Sequence, residues 1–212
     1  MSAHDIPGLL AASQQMGVAL QTQQAERLLA YMTLLQKWNR VHNLTAVREP
    51  EKMVTHHLLD SLSVVPYLIQ EFRVLDVGSG GGLPGIPLAI VQPEVRVTLL
   101  DSNHKKTSFL QQAMIELALN NVDVVTARVE QYAPKGQYTG IICRAFAEMA
   151  EVIRLTQTLL APAGRWYMMK GVYPEAELAK LPTGVVVKAI HELKVPNLAA
   201  SRHLLVLERV DG

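Results

Sequence analysis

A chain of 212 residues, 49% hydrophobic and with a formal net charge of +1, has room for one α/β domain with an appendage and a sizeable core. That charge excludes a global electrostatic pull toward nucleic acid or anionic membrane, so any RNA contact has to rest on a few placed basic residues. The single cysteine, Cys143, excludes an intramolecular disulfide framework; with no apolar run of membrane-spanning length and no visible signal peptide, the expected compartment is a reducing cytoplasm.

Residues 5–17 read as a short helix ending near Gly17. Thr22 can cap a longer helix to about Arg40, on which Leu28, Tyr31, Met32, Leu35 and Trp38 recur at helical spacing; such a stripe suits core packing. Residues 41–49 form a loop. Pro50 suits the first turn of a third helix to about Ile69, with Leu58, Leu62 and Val65 on its apolar face and Pro66 placed to kink it. These helices, residues 1–70, are expected to pack as a cap on a sheet formed by residues 71–212.

From residue 72 onward strands and helices alternate. Strands are expected at 72–77, 95–100, 122–126, 138–143 and 164–170, with helices near 85–91, 103–119 and 148–160. A short helix near 174–180 leads to two extended runs, 184–195 and 202–209. Their link is too short for a parallel crossover, so they should form an antiparallel hairpin. The expected architecture is a mostly parallel seven-stranded α/β sheet with an antiparallel last strand and an N-terminal helical cap, as in the Rossmann-like class I methyltransferases.

The chemistry should gather where the first strand enters its turn, Asp76-x-Gly78-x-Gly80-x-Gly82, with Gly85 opening a helix. Glycines let the backbone pass close to a ligand, and a helix start offers free N–H groups. Gly80, Gly82 and Gly85 also fit G-x-G-x-x-G, the dinucleotide spacing. Asp76 argues against a phosphate there, because a carboxylate repels phosphate and attracts the ammonium of S-adenosylmethionine. Asp101, 25 residues after Asp76 at the tip of the next strand, can accept ribose hydroxyls of either ligand. Ligands of open α/β sheets bind beyond the carboxyl ends of the parallel strands. Those ends carry Asp76, Asp101, Arg128 to Glu130, Arg144 and Lys170, and the reversed last strand brings Arg202 and His203 to the same edge. Arg128, Lys170, Arg202 and His203 are candidates for RNA contacts.

The residues resemble one family across nearly the whole chain. They include Lys37-Trp38-Asn39, Asn43-Leu44-Thr45, His57-x-x-Asp60-Ser61, Asp76-Val-Gly-Ser-Gly80, Leu83-Pro-Gly-Ile-Pro87, Asp101-Ser102, Arg128-Val-Glu130, Arg144-Ala-Phe146, Lys170-Gly171 and Arg202-His203-Leu204. The family is the ribosomal RNA small-subunit methyltransferase G family, also called glucose-inhibited division protein B. The resemblance implies N7 methylation of guanine 527 in bacterial 16S rRNA with S-adenosylmethionine, on the small ribosomal subunit or an assembly intermediate. It further implies that Gly78 and Leu83 touch the cofactor, Asp101 its ribose, and Val129 and Glu130 its adenine. Arg144 would line the place where cofactor and base meet. Gly81 stands where many members have proline or another residue, which loosens the turn; His57 rather than His56 takes the family histidine's place.

Guanine N7 carries an in-plane lone pair and no proton, so no general base is expected; Asn43, His57, Arg144 and Arg202 are candidates for orienting the base. The segment Cys143-Arg-Ala-Phe146 lacks the Asn/Asp-Pro-Pro-aromatic run of amine methylation and the Pro-Cys signature of C5 chemistry, leaving Cys143 as a small hydrophobe. The seven histidines and one cysteine show no metal spacing, and no metal is expected. The competing readings are a nicotinamide-dependent oxidoreductase, disfavoured by Asp76 and the terminal hairpin, and a non-catalytic scaffold, disfavoured by the intact glycine turn and Asp101.

Overall fold

The computed structural model describes residues 5–68 and 70–210. Helix α1 spans Ile6–Gln15, started by the Asp5 carboxylate accepting the Gly8 N–H at 2.7 Å; Gly17, at φ 75°, turns the chain out of it. Helix α2 spans Thr22–His42. Its cap is Gln21 rather than Thr22: Gln24 Oε1 accepts the Gln21 N–H at 2.9 Å, so Thr22 is already the first helical residue. Leu28, Tyr31, Met32 and Leu35 are buried as their spacing predicts.

The third helix is not continuous. A single turn, α3 (Pro50–Met53), widens into a π-turn over Val54–Leu59, tightens into α4 (Asp60–Leu62), and is followed by a 3₁₀ turn at Val65–Tyr67. Its expected end at Ile69 lies outside the described residues. An apolar period reports which residues face the core, and Leu58, Leu62 and Val65 do; it carries no signal for a one-residue widening, which is a recurrent feature of functional sites.

The sheet contains β1 (Arg73–Val77), β2 (Arg96–Asp101), β3 (Val122–Thr126), β4 (Tyr138–Arg144), β5 (Leu160–Lys170), β6 (Val185–Glu192) and β7 (His203–Arg209), in the order β3-β2-β1-β4-β5-β7-β6. β1 to β5 pair in parallel; β7 is antiparallel to both β5 and β6, with Lys170 opposite His203. Order reverses between β1 and β4, which is where an open α/β sheet places its ligand crevice. The connecting helices are α5 (Gly85–Val91), α6 (His104–Glu116), α7 (Met149–Thr156) and α8 (Glu175–Leu178). α7 ends before residue 160 because the chain re-enters the sheet at Leu160, and α6 ends before residue 119, where Ala118 adopts φ 49°.

One core joins the N-terminal helices to the sheet: Leu9, Leu28 and Leu35 belong to the same apolar cluster as Ile86, Val97 and Phe109. The other sheet face buries Leu75, Ile141, Met149, Val152 and Trp166. Gln24 also donates to the Val91 carbonyl at 3.0 Å, fastening α2 to the end of α5. Among the described residues no helix is long and apolar enough to cross a membrane.

Candidate functional site

The turn after β1 is held from three sides. Gly78 and Ser79 N–H groups donate to the Leu100 carbonyl at 2.8 and 3.1 Å, tying the turn to β2. Asp101 accepts the Gly80 N–H through Oδ2 and the Asn103 N–H through Oδ1, both at 2.9 Å. From α2, the Tyr31 hydroxyl donates to the Gly81 carbonyl. Tyr31 therefore does more than pack: it links the helical cap to the turn. Gly81 lies against Leu35, whose Cδ1 would stand 3.0 Å from a Cβ at that position.

Asp76 is placed under the turn rather than in the crevice. It is 1% exposed, and its Oδ2 accepts the Gly85 N–H at 2.9 Å. The first amide of α5 is thus occupied by Asp76 and does not face a ligand. Oδ1 has no partner among the described residues. Burial pushes the Asp76 carboxyl up to about 7, against the Gly85 hydrogen bond and the Arg144 charge, which pull it down. Since the folded value lies above the unfolded one, the folded state binds the extra proton, and Asp76 takes stability away as pH rises from about 4 to 7. The stability of Asp76→Asn relative to wild type should therefore increase across that window; denaturant titrations at several pH values read it, and a constant difference contradicts it.

Two cavities flank Gly78. The first, about 550 Å³, is lined by Gly78 to Gly81 and Leu83 of the turn and by Thr45, His57, Asp60, Arg144 and Arg202. The second, about 410 Å³, is lined by Asp101, Lys106, Arg128, Val129, Glu130 and Phe146. Both touch Gly78 and Ala145. Gly78 has φ 68°, and the Phe146 ring occupies the space a Cβ would take, so only glycine lets the turn pass beside that ring. Gly82 lines neither cavity: φ 86° shapes the turn, and the Ile86 and Leu110 side chains fill the space beside it.

In the first cavity, Asp60 is the centre of the charge arrangement. Its side chain is 3% exposed; Oδ2 accepts from Arg144 Nη1 at 3.1 Å and Oδ1 from Arg202 Nε at 2.7 Å. Three segments distant in sequence, α4, the end of β4 and the residue just before β7, are joined through this one carboxylate. Arg144 also donates to the His56 carbonyl at 3.2 Å. His57 Nε2 lies 2.6 Å from Thr45 Oγ1, and its Nδ1 has no partner among the described residues. Burial, reinforced by Arg144, lowers its pKa to about 4, so the ring is neutral at pH 7. Thr45 is positioned by Asn39, whose Oδ1 accepts the Thr45 N–H at 2.8 Å.

Not every expected residue reaches the cavity. Asn43 ends α2 at φ 49°, exposed, with Oδ1 accepting from Arg48 at 2.8 Å; Thr45 takes the place expected for it. Lys170 lines the first cavity, but its ammonium is bound by both Glu177 oxygens, at 2.8 and 2.9 Å. His203 is on the same wall, with Nδ1 2.9 Å from the Gly171 carbonyl and Tyr173 edge-on at 5.8 Å. Arg128 is exposed on the second cavity's wall. Cys143 lies in the core with its thiol 3.3 Å from Met168 Sδ. Among the described residues no three histidine, cysteine or acidic side chains cluster as metal ligands.

Comparison with known proteins identifies the family and the fold. Residues 24–205 match a family model described as rRNA small subunit methyltransferase G. Curated relatives of that name include one from Laribacter hongkongensis, 54% identical over 94% of this chain and 96% of its own length. Another, from Pseudomonas aeruginosa PAO1, is 50% identical over 99% and 98%. Among solved structures, TrmN from Thermus thermophilus matches with TM-score 0.57 at 19% identity, over 71% of this chain and 48% of its own. An S-adenosylhomocysteine complex of a Thiobacillus denitrificans SAM-dependent methyltransferase gives 0.57 at 15%, over 84% and 97%. These last two show the shared class I methyltransferase fold. The chain belongs to the rRNA small subunit methyltransferase G family.

Proposed function

We propose that the protein transfers a methyl group from S-adenosylmethionine to N7 of guanine 527 in bacterial 16S rRNA, on the small ribosomal subunit or an assembly intermediate, in the cytoplasm where that RNA is made. Residues 71–212 form the methyltransferase unit and residues 1–70 its helical cap. The observation that carries this reading is the pair of cavities that meet at Gly78 and Ala145 on the carboxyl edge of the sheet, with the Phe146 ring packed where a Gly78 side chain would stand. One cavity suits the adenosine of the cofactor and the other an acceptor base.

The residues present fit that cofactor. Asp101 retains acceptor capacity for ribose hydroxyls beyond its two backbone bonds; Val129 and Glu130, on the second cavity, would hold the adenine, and Gly78, Gly80 and Leu83, on the first, would hold the methionine end. When bound, S-adenosylmethionine supplies an electrophilic methyl on a sulfonium. N7 attacks with its own lone pair, so the protein's work is alignment and charge placement. His57, neutral at pH 7, orients without taking a proton. Arg144 and Arg202 supply donors toward the base or its phosphates, and Arg128 and His203 extend the RNA face.

Burial pushes the Cys143 thiol up to about 12, offset in part by Lys170, so no thiolate is present at neutral pH. Cys143→Ser should therefore keep most of its methyl transfer in single-turnover assays; complete loss in a folded, cofactor-binding variant would restore a covalent route. Calorimetric titration with S-adenosylmethionine and with NAD tests the reading itself. Binding of the first and not the second is expected; the reverse supports the oxidoreductase.

A further inference from the structure

Among the described residues Asp60 is the only carboxylate on the wall of the acceptor cavity, which otherwise carries arginine, lysine, histidine, the Thr45 and Ser79 hydroxyls and apolar groups. Each of its oxygens accepts one arginine bond. An ionised carboxylate offers about four lone-pair sites, so two acceptor positions remain. Holding two arginines accounts for its burial but not for its place on the cavity wall. A guanine whose N7 faces the cofactor turns its other edge, with N1–H and the 2-amino group, toward the rest of that wall. Those two groups are donors and need acceptors; the arginines and the lysine around Asp60 offer only donors, and of the side-chain acceptors on this wall, which include Thr45, Ser79 and the neutral His57, Asp60 alone is an anion with two oxygens side by side to meet both. Transfer to N7 also leaves the purine positively charged and its N1–H more acidic. A fixed carboxylate on that edge is stabilised more by the product-like charge than by the neutral base, which is the condition for accelerating the step.

We propose that Asp60 reads the guanine, its carboxylate accepting from N1–H and the 2-amino group while Arg144 and Arg202 hold it in place. This rests on the methyltransferase reading and deepens it: it makes Asp60 a determinant of base specificity and of charge stabilisation. An adenine, which presents an acceptor at N1 and no 2-amino group, would leave the carboxylate facing a lone pair.

The test uses small subunits carrying guanosine or inosine at the target position, inosine lacking only the 2-amino group. Wild-type and Asp60→Asn protein are compared by equilibrium affinity without cofactor and by single-turnover methyl transfer. Wild type should favour guanosine by about ten- to hundredfold across the two measurements, and Asp60→Asn should lose most of that preference. Comparing the guanosine-to-inosine ratio of wild type with that of the variant cancels the intrinsic nucleophilicity of the two bases, and the affinity measured without cofactor does not depend on it. An Asp60 that only supports the arginines would slow both substrates by the same factor and keep the ratio, which overturns the proposal. A wild type that treats the two alike overturns it as well, whether or not the variant folds. If Asp60→Asn does not fold, 1-methylguanosine in the substrate takes its place, and transfer at the guanosine rate overturns the assignment. No transfer to guanosine at all would instead bring down the proposed function.

Discussion

Replacing Gly78 with aspartate should abolish S-adenosylmethionine binding while the protein stays folded. Gly78 sits at φ 68°, a conformation that costs a residue with a Cβ about 1–2 kcal/mol. Its Cβ would overlap Phe146, and the new carboxylate would project into the junction of the two cavities. Phe146 is 39% exposed and can swing outward, so the overlap is relieved at the surface rather than in the core. The strain falls on the stability of the turn, whereas the overlap with Phe146 and the carboxylate at the junction act on the cofactor and should cost about 3 kcal/mol or more of affinity, at least a hundredfold. Asp101→Ala should follow at about ten- to hundredfold, from the lost charge-assisted bonds. Titration of the folded variants with S-adenosylhomocysteine measures both. Unchanged affinity for Asp101→Ala would remove Asp101 from the cofactor site.

Asp60→Ala should be the most destabilising change in the acceptor cavity. The Arg144 and Arg202 side chains are only 21% and 22% exposed, and the substitution leaves both without their shared anion. Removing one member of a buried ionic group is expected to cost about 3 kcal/mol, reduced here by whatever rotation lets the guanidinium groups reach water. Arg202→Ala should cost less, because Asp60 keeps Arg144. A double-mutant cycle of Asp60→Ala with Arg202→Ala, read by denaturant unfolding, should show strong coupling; additive costs would mean the arrangement contributes nothing as a unit.

The sheet was legible because its signals are local. Apolar runs punctuated by glycine and proline marked the strands, and the short link between the last two forced their antiparallel pairing. The carboxyl-edge rule then placed Asp101, Arg128, Val129, Glu130, Arg144, Arg202 and His203 around the two cavities. What stayed hidden depended on side chains meeting across the fold. Asp60 stood in a recognisable His-x-x-Asp spacing, yet nothing local indicates that one carboxylate binds two arginines, one on β4 and one just before β7. Tyr31 looked like any core aromatic of α2, and only its approach to Gly81 reveals the hydroxyl's task. Asp76 was placed at the strand tip correctly, but the tip is roofed by the turn, so its carboxylate serves Gly85. Asn43 shared a motif with Thr45, and the left-handed end of α2 points the two residues differently. Lys170 read as a free cation because Glu177, from the following helix, could not be seen to fold back over it.

Methylation of N7 of one guanine in 16S rRNA leaves a chemical mark that can be read in the cell. Mass spectrometry of 16S rRNA from the bacterium with and without the protein tests the proposed function most directly. The 7-methylguanosine at position 527 should disappear when the protein is absent, return with the wild-type chain, and not return with Gly78→Asp. Persistence of the modification in cells lacking the protein would contradict that function.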